Sequence, residues 1–331
     1  MISVVIPIYN EEEILPILHD AITQAMRQIN DKWEIVYVND GSRDCSLVLL
    51  RKLQSSDPHV VVVDLSRNFG HMGALQAGMQ TARGDAVVLM DGDLQDPPEV
   101  VPRLVVAWRA GARVVTAVRR SRQERRKILA LLFPLFYRVL GALSDYPIPL
   151  NAGIFGLLDR QAVDAINSMP EGNRYLPGLR AWVGYRTATV YYDRQDRAGG
   201  EGKLTFLSRI KYATDAITSF SFKPLRLTFV LAALGFLAAV MLGVFAIVSR
   251  GNAMAYALSS AICLMGSLPL LCVGILGEYV ARVYDEVRHR PLSIINHVYR
   301  ADAVFSSQLA PESMVRSLNG DGELEKLFPA A

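Results

Sequence analysis

What most constrains this chain is a pattern repeated four times before Pro98: a short apolar run, a knot of polar residues, then helical spacing. Ser3–Ile8 ends in Pro7-Ile8-Tyr9-Asn10-Glu11, and Ile14, Leu15, Leu18, Ile22 and Met26 follow at helical intervals. Trp33–Val38 ends in Asn39-Asp40-Gly41-Ser42, with a helix expected from near Asp44. Val60–Leu65 ends in Ser66-Arg67-Asn68-Phe69-Gly70, with a helix running to about Ala82. The fourth run, Ala86–Met90, passes straight into Asp91-Gly92-Asp93-Leu94-Gln95-Asp96-Pro97-Pro98. Apolar runs of this length read as strands buried on both faces, and their alternation with helices predicts an α/β fold with a mostly parallel, Rossmann-like sheet. All four knots then lie along one edge of that sheet, where open α/β sheets bind their ligands.

The fourth knot carries the most chemistry. Gly92 lets the backbone turn closely between Asp91 and Asp93, and Asp96 is placed to cap a helix opening with Pro97 and carrying Glu99 in its first turn. A buried strand that delivers hard oxygen ligands at its carboxyl end suits a divalent cation holding a phosphate. Taken alone, Asp-Gly-Asp is also ordinary turn chemistry. For Asn10, Ser42 and Asn68 a helix cap or turn fits as well as a ligand contact does.

At 331 residues the chain is long enough for one large domain and an appendage, and its net charge of +3 gives no argument for nucleic acid. Cys45, Cys263 and Cys272 have neither disulfide-framework nor zinc spacing. Met1 leads directly into a strand without a basic leader, so the first domain is expected to stay in the cytoplasm. Pro98–Ala110 reads as a helix closed by Gly111, and Arg113–Val118 as a strand. The basic run 119–127 then precedes an apolar helix, 128–137, and the pair reads as a segment resting on an anionic membrane surface. A basic, glycine-rich stretch, 193–203, has Arg and Lys placed to close over a diphosphate, or is a surface loop. Residues 206–222 read as an interfacial helix.

Two uncharged apolar segments follow, Leu227–Val248 and Tyr256–Leu276, each long enough to span a bilayer. Lys223 and Arg226 before them, and Arg282, Arg288, His289 and Arg290 after, outweigh Arg250 between them, which places both ends of the hairpin in the cytoplasm. The expected organisation is a catalytic domain over 1–203, an interfacial helix over 204–224, a transmembrane hairpin over 225–282 (helices about 227–248 and 256–278) and a cytoplasmic tail over 283–331.

In combination these segments resemble the polyisoprenyl-phosphate glycosyltransferases of family 2, the GT-A group that includes dolichol-phosphate mannose synthase and bactoprenol glucosyltransferase. The resemblance is carried by Val4–Glu11, Val38–Ser42, Leu65–Gly70, Asp91–Pro98, Arg119–Arg122, Gly200–Lys203 and Leu276–Tyr284, in family order along most of the chain. It implies that Pro7, Tyr9, Glu11 and Asp40 hold the nucleoside of a UDP-sugar, with Ser66 in the same donor-binding set. Asp91, Asp93 and Gln95 would bind Mg²⁺ or Mn²⁺. Arg119, Arg122 and Lys203 would neutralise phosphate on the donor or on a polyprenyl-phosphate acceptor. Transfer would be a single in-line displacement with inversion, by an enzyme of the inner membrane that resembles homotetramers.

One departure stands out. The family commonly reads Asn-x-Gly-Asp-Phe-Arg where this chain has Asn151-Ala152-Gly153-Ile154-Phe155-Gly156, so the acceptor-side aspartate and the following cation are missing. Either no base is needed, because a lipid phosphate is already anionic, or Asp96 or Asp159 serves instead, or the site is altered. The first reading is preferred. A membrane-anchored scaffold without catalysis is the rival from another class. A processive polysaccharide synthase is a second, but its Gln-x-x-Arg-Trp motif is not found.

Overall fold

The computed structural model describes residues 1–120, 152–172, 174–193, 233–238, 240–241, 244 and 253–301. Arg122, Lys203, the basic run beyond 120, the membrane-surface segment, the glycine-rich stretch beyond 193, the interfacial helix and most of the first apolar segment lie outside them. So does the chain after 301.

The described residues form one eight-stranded sheet in the order β7-β5-β6-β4-β1-β2-β3-β8. Its centre is β1 (Ile2–Ile8), β2 (Trp33–Asn39), β3 (Val60–Leu65) and β4 (Ala86–Leu89), all parallel. These are the four apolar runs of the sequence, and nearly every residue in them is buried. Alternate side chains feed two cores, as the two-residue period of a strand requires. Val4, Ile6, Ile35 and Tyr37 pack with α1 (Leu15–Arg27), α2 (Ser46–Ser56) and α4 (Val101–Arg109). Val5, Val36, Val38 and Leu89 pack on the other face with α3 (His71–Thr81), α5 (Arg160–Ser168) and α6 (Leu176–Trp182). A valine or isoleucine buried this way contributes about 1.5–3 kcal/mol, so the central strands anchor the fold.

Beyond β4 the sheet becomes mixed. β5 (Val114–Arg119) and β6 (Ala152–Asp159) run antiparallel to each other, β6 also runs antiparallel to β4, and β7 (Thr187–Tyr192) lies parallel to β5 on the edge. The fold is GT-A: a mostly parallel mixed sheet between helical layers.

Two boundaries differ from the sequence reading. α7 (Ala253–Val287) continues well past the expected end of the second apolar segment. Its stretch Leu264–Val287 is the one helix among the described residues long and apolar enough to cross a membrane, and none of its apolar window is buried against the domain. The expected tail also contains a strand. Ile295–Tyr299 (β8) pairs antiparallel with β3 and closes that side of the sheet.

That return is pinned by charge. The partly buried Arg300 donates to Glu34 Oε2 at 2.8 Å and to the Thr81 carbonyl at 3.0 Å. Glu34 Oε1 accepts from Ser3 Oγ at 2.6 Å and from the Arg83 amide at 2.7 Å. The chain leaving α7 is therefore bonded across the amino ends of β1 and β2.

Candidate active site

The polar knots at the carboxyl ends of β1, β2 and β3 are stitched together by side chains bonding neighbouring backbone. Asn10, at φ 53°, donates its amide to Ser42 Oγ at 3.1 Å and accepts from the Arg43 amide at 2.8 Å. Ser46 Oγ accepts from the Glu11 amide, and Asp44 from the Glu12 amide. Asn10 and Ser42 thus serve as turn residues that tie the first two loops together, the plainer of the two readings open in the sequence.

Asp40 does the equivalent for the third knot. Its two oxygens accept from the Phe69 amide at 2.7 Å and the Gly70 amide at 3.0 Å, and its side chain is buried. Burial pushes this carboxyl up from its ordinary value, against the pull of those two amides and of His71 and Arg67. Any role in holding a nucleoside is shared with fixing the loop from Ser66 to Gly70. Pro7, Tyr9 and Glu11 are half-buried along the same edge, and Ser66 is exposed there, its amide donating to the Ile294 carbonyl.

The acidic loop sits on the end of β1. The Met90 amide donates to the Val5 carbonyl, and a side chain at Gly92 would come within 2.9 Å of Ile8 Cδ1 and 3.2 Å of the Pro7 carbonyl. Any larger residue there would make Ile8 and the Pro7 carbonyl shift, and glycine lets the loop pass this close without that. Asp91, Asp93 and Gln95 are half-buried, and Asp93 accepts from the Gln95 amide at 3.1 Å, with Leu94 at φ 56°.

His71, the first residue of α3, brings Nε2 to 3.2 Å from Asp91 Oδ1. Burial pulls the imidazole down, but the hydrogen bond and charge of Asp91, with the charges of Asp40 and Asp93, outweigh it, and the net shift is upward. His71 was not a sequence candidate. The signal available was its place directly after a strand-end glycine, at a helix start beside the acidic loop.

The residues fit a divalent cation in one respect and limit it in another. Asp91 and Asp93 are hard oxygen donors, as Mg²⁺ and Mn²⁺ prefer. Among the described residues, no group of three or more His, Cys, Asp or Glu side chains is arranged to hold an ion. A cation here would take part of its shell from the chain and the remainder from phosphate oxygens.

Asp96 does not cap a helix. The following 3₁₀ turn, Pro98–Val100, begins after Pro97 and has no side-chain cap. Asp96 is instead buried, accepting from Tyr192 Oη at 2.5 Å and lying 3.7 Å from Arg119 Nη2. Arg119 Nε also donates to Tyr192 Oη, at 3.1 Å. Burial and then the Asp96 charge push the Tyr192 phenol upward, so it stays a neutral donor. Burial alone would lower Arg119, but Tyr192, Asp96 and Asp91 raise it on balance. The predicted phosphate ligand Arg119 is therefore held by a buried carboxylate from the acidic loop and a phenol from the last residue of β7.

Asp159 is ruled out as a stand-in base by its position. It pairs with Ala86 at the amino end of β4, accepts from Trp108 Nε1 at 2.8 Å and caps α5 through the Gln161 amide. The acidic loop is at the other end of that strand. Ile154 packs against the core shared with α3 and α6.

Comparison with known proteins gives the class, a glycosyltransferase. Residues 3–166 match the family described as Glycosyl transferase family 2, and residues 223–283 match the GtrB C-terminal hairpin. The chain belongs to the family 2 glycosyltransferases. It is 40% identical over 303 residues to the uncharacterized glycosyltransferase sll0501 of Synechocystis sp., covering 90% of this chain and 95% of that one. It is 37% identical over 306 residues to the bactoprenol glucosyl transferase of Shigella phage SfII, covering 91% and 99%. Against the uncharacterized glycosyltransferase YkcC of Bacillus subtilis the figures are 37% over 302 residues, 90% and 94%.

Proposed function

We propose that this glycosyltransferase moves a hexose, glucose from UDP-glucose, onto the phosphate of a polyprenyl lipid such as undecaprenyl phosphate, at the cytoplasmic face of the inner membrane. The observation that carries the reading is the joining, in one chain, of an acidic strand-end loop to an apolar hairpin whose exit strand is built into the same sheet. Full-length similarity to bactoprenol glucosyl transferases supports the acceptor and the sugar. Both termini are cytoplasmic in this reading, and copies associate through the hairpin, as a tetramer by the resemblance.

Pro7, Tyr9, Glu11, Asp40 and Ser66 line the edge assigned to the nucleoside. Asp91 and Asp93, with Gln95, would hold Mg²⁺ or Mn²⁺ against the donor diphosphate. Bound there, the ion would offset the charge that develops on the departing nucleotide. Arg119, oriented by Asp96 and Tyr192, presents a planar fork suited to phosphate oxygens, and Arg122 and Lys203, which lie outside the described residues, would add further positive charge by the resemblance. The lipid phosphate attacks the anomeric carbon on the face opposite the leaving diphosphate, which inverts the configuration. Already anionic at neutral pH, it needs no base. Ile154 is compatible with that chemistry, although it is also the residue that favours the scaffold reading.

The test is incubation of membranes containing the protein with undecaprenyl phosphate and a panel of radiolabelled nucleotide sugars, with and without EDTA. The expected result is a solvent-extractable glycolipid, strongest with UDP-glucose and abolished by EDTA. Absence of any lipid product from every donor would leave the scaffold.

A further inference from the structure

Three buried charges in the described part of the domain face opposite charge. Glu34 has Arg300, Asp96 has Arg119, and Arg174 lies in the field of Glu171 and Glu286. Arg180, in the middle of α6, differs. It is 3% exposed, and among the described residues no carboxylate lies within ion-pair distance of it. Its Nη1 donates to the Gly153 carbonyl at 3.3 Å and its Nη2 to the Ile154 carbonyl, while Nε is buried without a partner. Burial pushes this guanidinium down to about 10, and no neighbouring charge offsets the shift.

The backbone it grips is the end of β6 that faces the acidic loop. The β4–β6 ladder ends at Leu89↔Gly156, and one strand continues to Asp91 as the other reaches back to Ile154. Arg119 meets the same strand end, its Nη2 3.5 Å from where a side chain at Gly153 would begin. Gly156 is what admits Arg180: a side chain there would collide with the Val115 carbonyl and come within 3.2 Å of Arg180 Nη1. Two guanidinium groups from different elements thus bracket Gly153–Ile154, one paired with Asp96 and the other without a carboxylate partner among the described residues.

We propose that Arg180 is a positioning residue of the transfer reaction. It braces the β6 strand end beside Asp91, and its uncompensated charge is matched when an anionic phosphate substrate binds. The proposal rests on the glycosyltransfer reading above. Arg180 is too buried, and its Nη atoms too occupied, to be a direct ligand. It acts through the strand it holds and through the low-dielectric interior, where a charge is felt further than in water. The phosphate concerned belongs either to the donor diphosphate or to the lipid acceptor.

The experiment uses the full chain in membranes or detergent. R180M removes the charge and keeps an apolar stem, and R180K keeps the charge without the two-carbonyl fork. R180M removes a buried charge that is costly to desolvate and also two hydrogen bonds to carbonyls, opposing effects that are expected to leave the melting temperature within a few degrees of wild type. Its KM for one phosphate-bearing substrate should rise by roughly tenfold or more, with R180K recovering part of that loss. If the donor is concerned, calorimetric binding of UDP with Mn²⁺ weakens in parallel, a readout independent of turnover. If the acceptor is concerned, UDP binding is unchanged and only the KM for undecaprenyl phosphate moves.

Should R180M fail to fold, R180Q is measured against the same criterion. KM values for both substrates within about twofold of wild type, or an R180K as impaired as R180M, would overturn the proposal. A wild-type protein that neither transfers sugar nor binds UDP would overturn the functional reading, and this inference with it.

Discussion

The two edges of the sheet both carry charge, and they treat it differently. At the amino edge a set of charges is tied down. Glu34 is bonded to Ser3, the Arg83 amide and Arg300, Arg160 donates to the carbonyls of Ala82 and Gly84, and the Met1 amine lies 2.7 Å from Asp85. At the carboxyl edge the acidic pair is half-exposed, the loops hold each other through backbone amides, and one buried guanidinium has no carboxylate partner among the described residues. The first edge is built to stay folded and to anchor the strand returning from α7. The second keeps unspent electrostatic capacity, as a site for a diphosphate and a phosphate requires.

That contrast can be broken from the stable side first. Replacing Glu34 by Ala leaves the partly buried Arg300 without its carboxylate and Ser3 Oγ without its acceptor, and the expected cost is about 2–4 kcal/mol. Thermal unfolding of the solubilised protein should show the loss, while kcat per folded molecule stays near wild type. A fall in kcat without a fall in stability would mean that the amino edge takes part in catalysis.

A change at Tyr192 should touch both properties. Tyr192→Phe removes the hydrogen bond to the buried Asp96 and the one from Arg119, costing about 1–3 kcal/mol. Because Arg119 loses its orientation, transfer should also fall by roughly tenfold. Loss of stability with full activity would detach Arg119 from phosphate binding.

The smallest effect is a pH dependence well away from the acidic loop. His19, on α1, lies in a 490 Å³ cavity lined also by Thr23, Arg27, Trp33, Asp57 and His59, with Asp57 3.6 Å and Tyr37 Oη 3.3 Å away. Burial lowers its imidazole from the usual 6.5, against the upward pull of Asp57 and Asp20. The unfolded chain therefore takes up the proton first, and stability is full above pH 6.5 and declines as pH falls below it. His19→Gln should flatten that decline in unfolding curves. A wild-type curve that is flat or rising toward acid would place the charge of His19 elsewhere.

What the sequence reveals and what it hides divides along contact range. β1 to β4 are legible because each is buried on both faces, so the apolar run alone marks it. β7 alternates exposed and buried residues and β8 is almost wholly exposed, so their strand character comes from the neighbours they pair with. The acidic pair is legible because the loop carries it contiguously. Asp96 misleads because Asp-Pro-Pro is a good local cap signal, whereas its actual partner, Tyr192, is 96 residues further on. His71 and Arg180 gain their meaning only when α3 and α6 bring them to strands distant in the chain.

The central claim is that Asp91 and Asp93 bind the charge of a sugar nucleotide beside the membrane, and the double variant D91N/D93N tests it most directly. The account predicts that the variant keeps the wild-type melting temperature within a few degrees and loses glycolipid synthesis by roughly a thousandfold or more. A folded D91N/D93N protein that still glycosylates polyprenyl phosphate at the wild-type rate would contradict it.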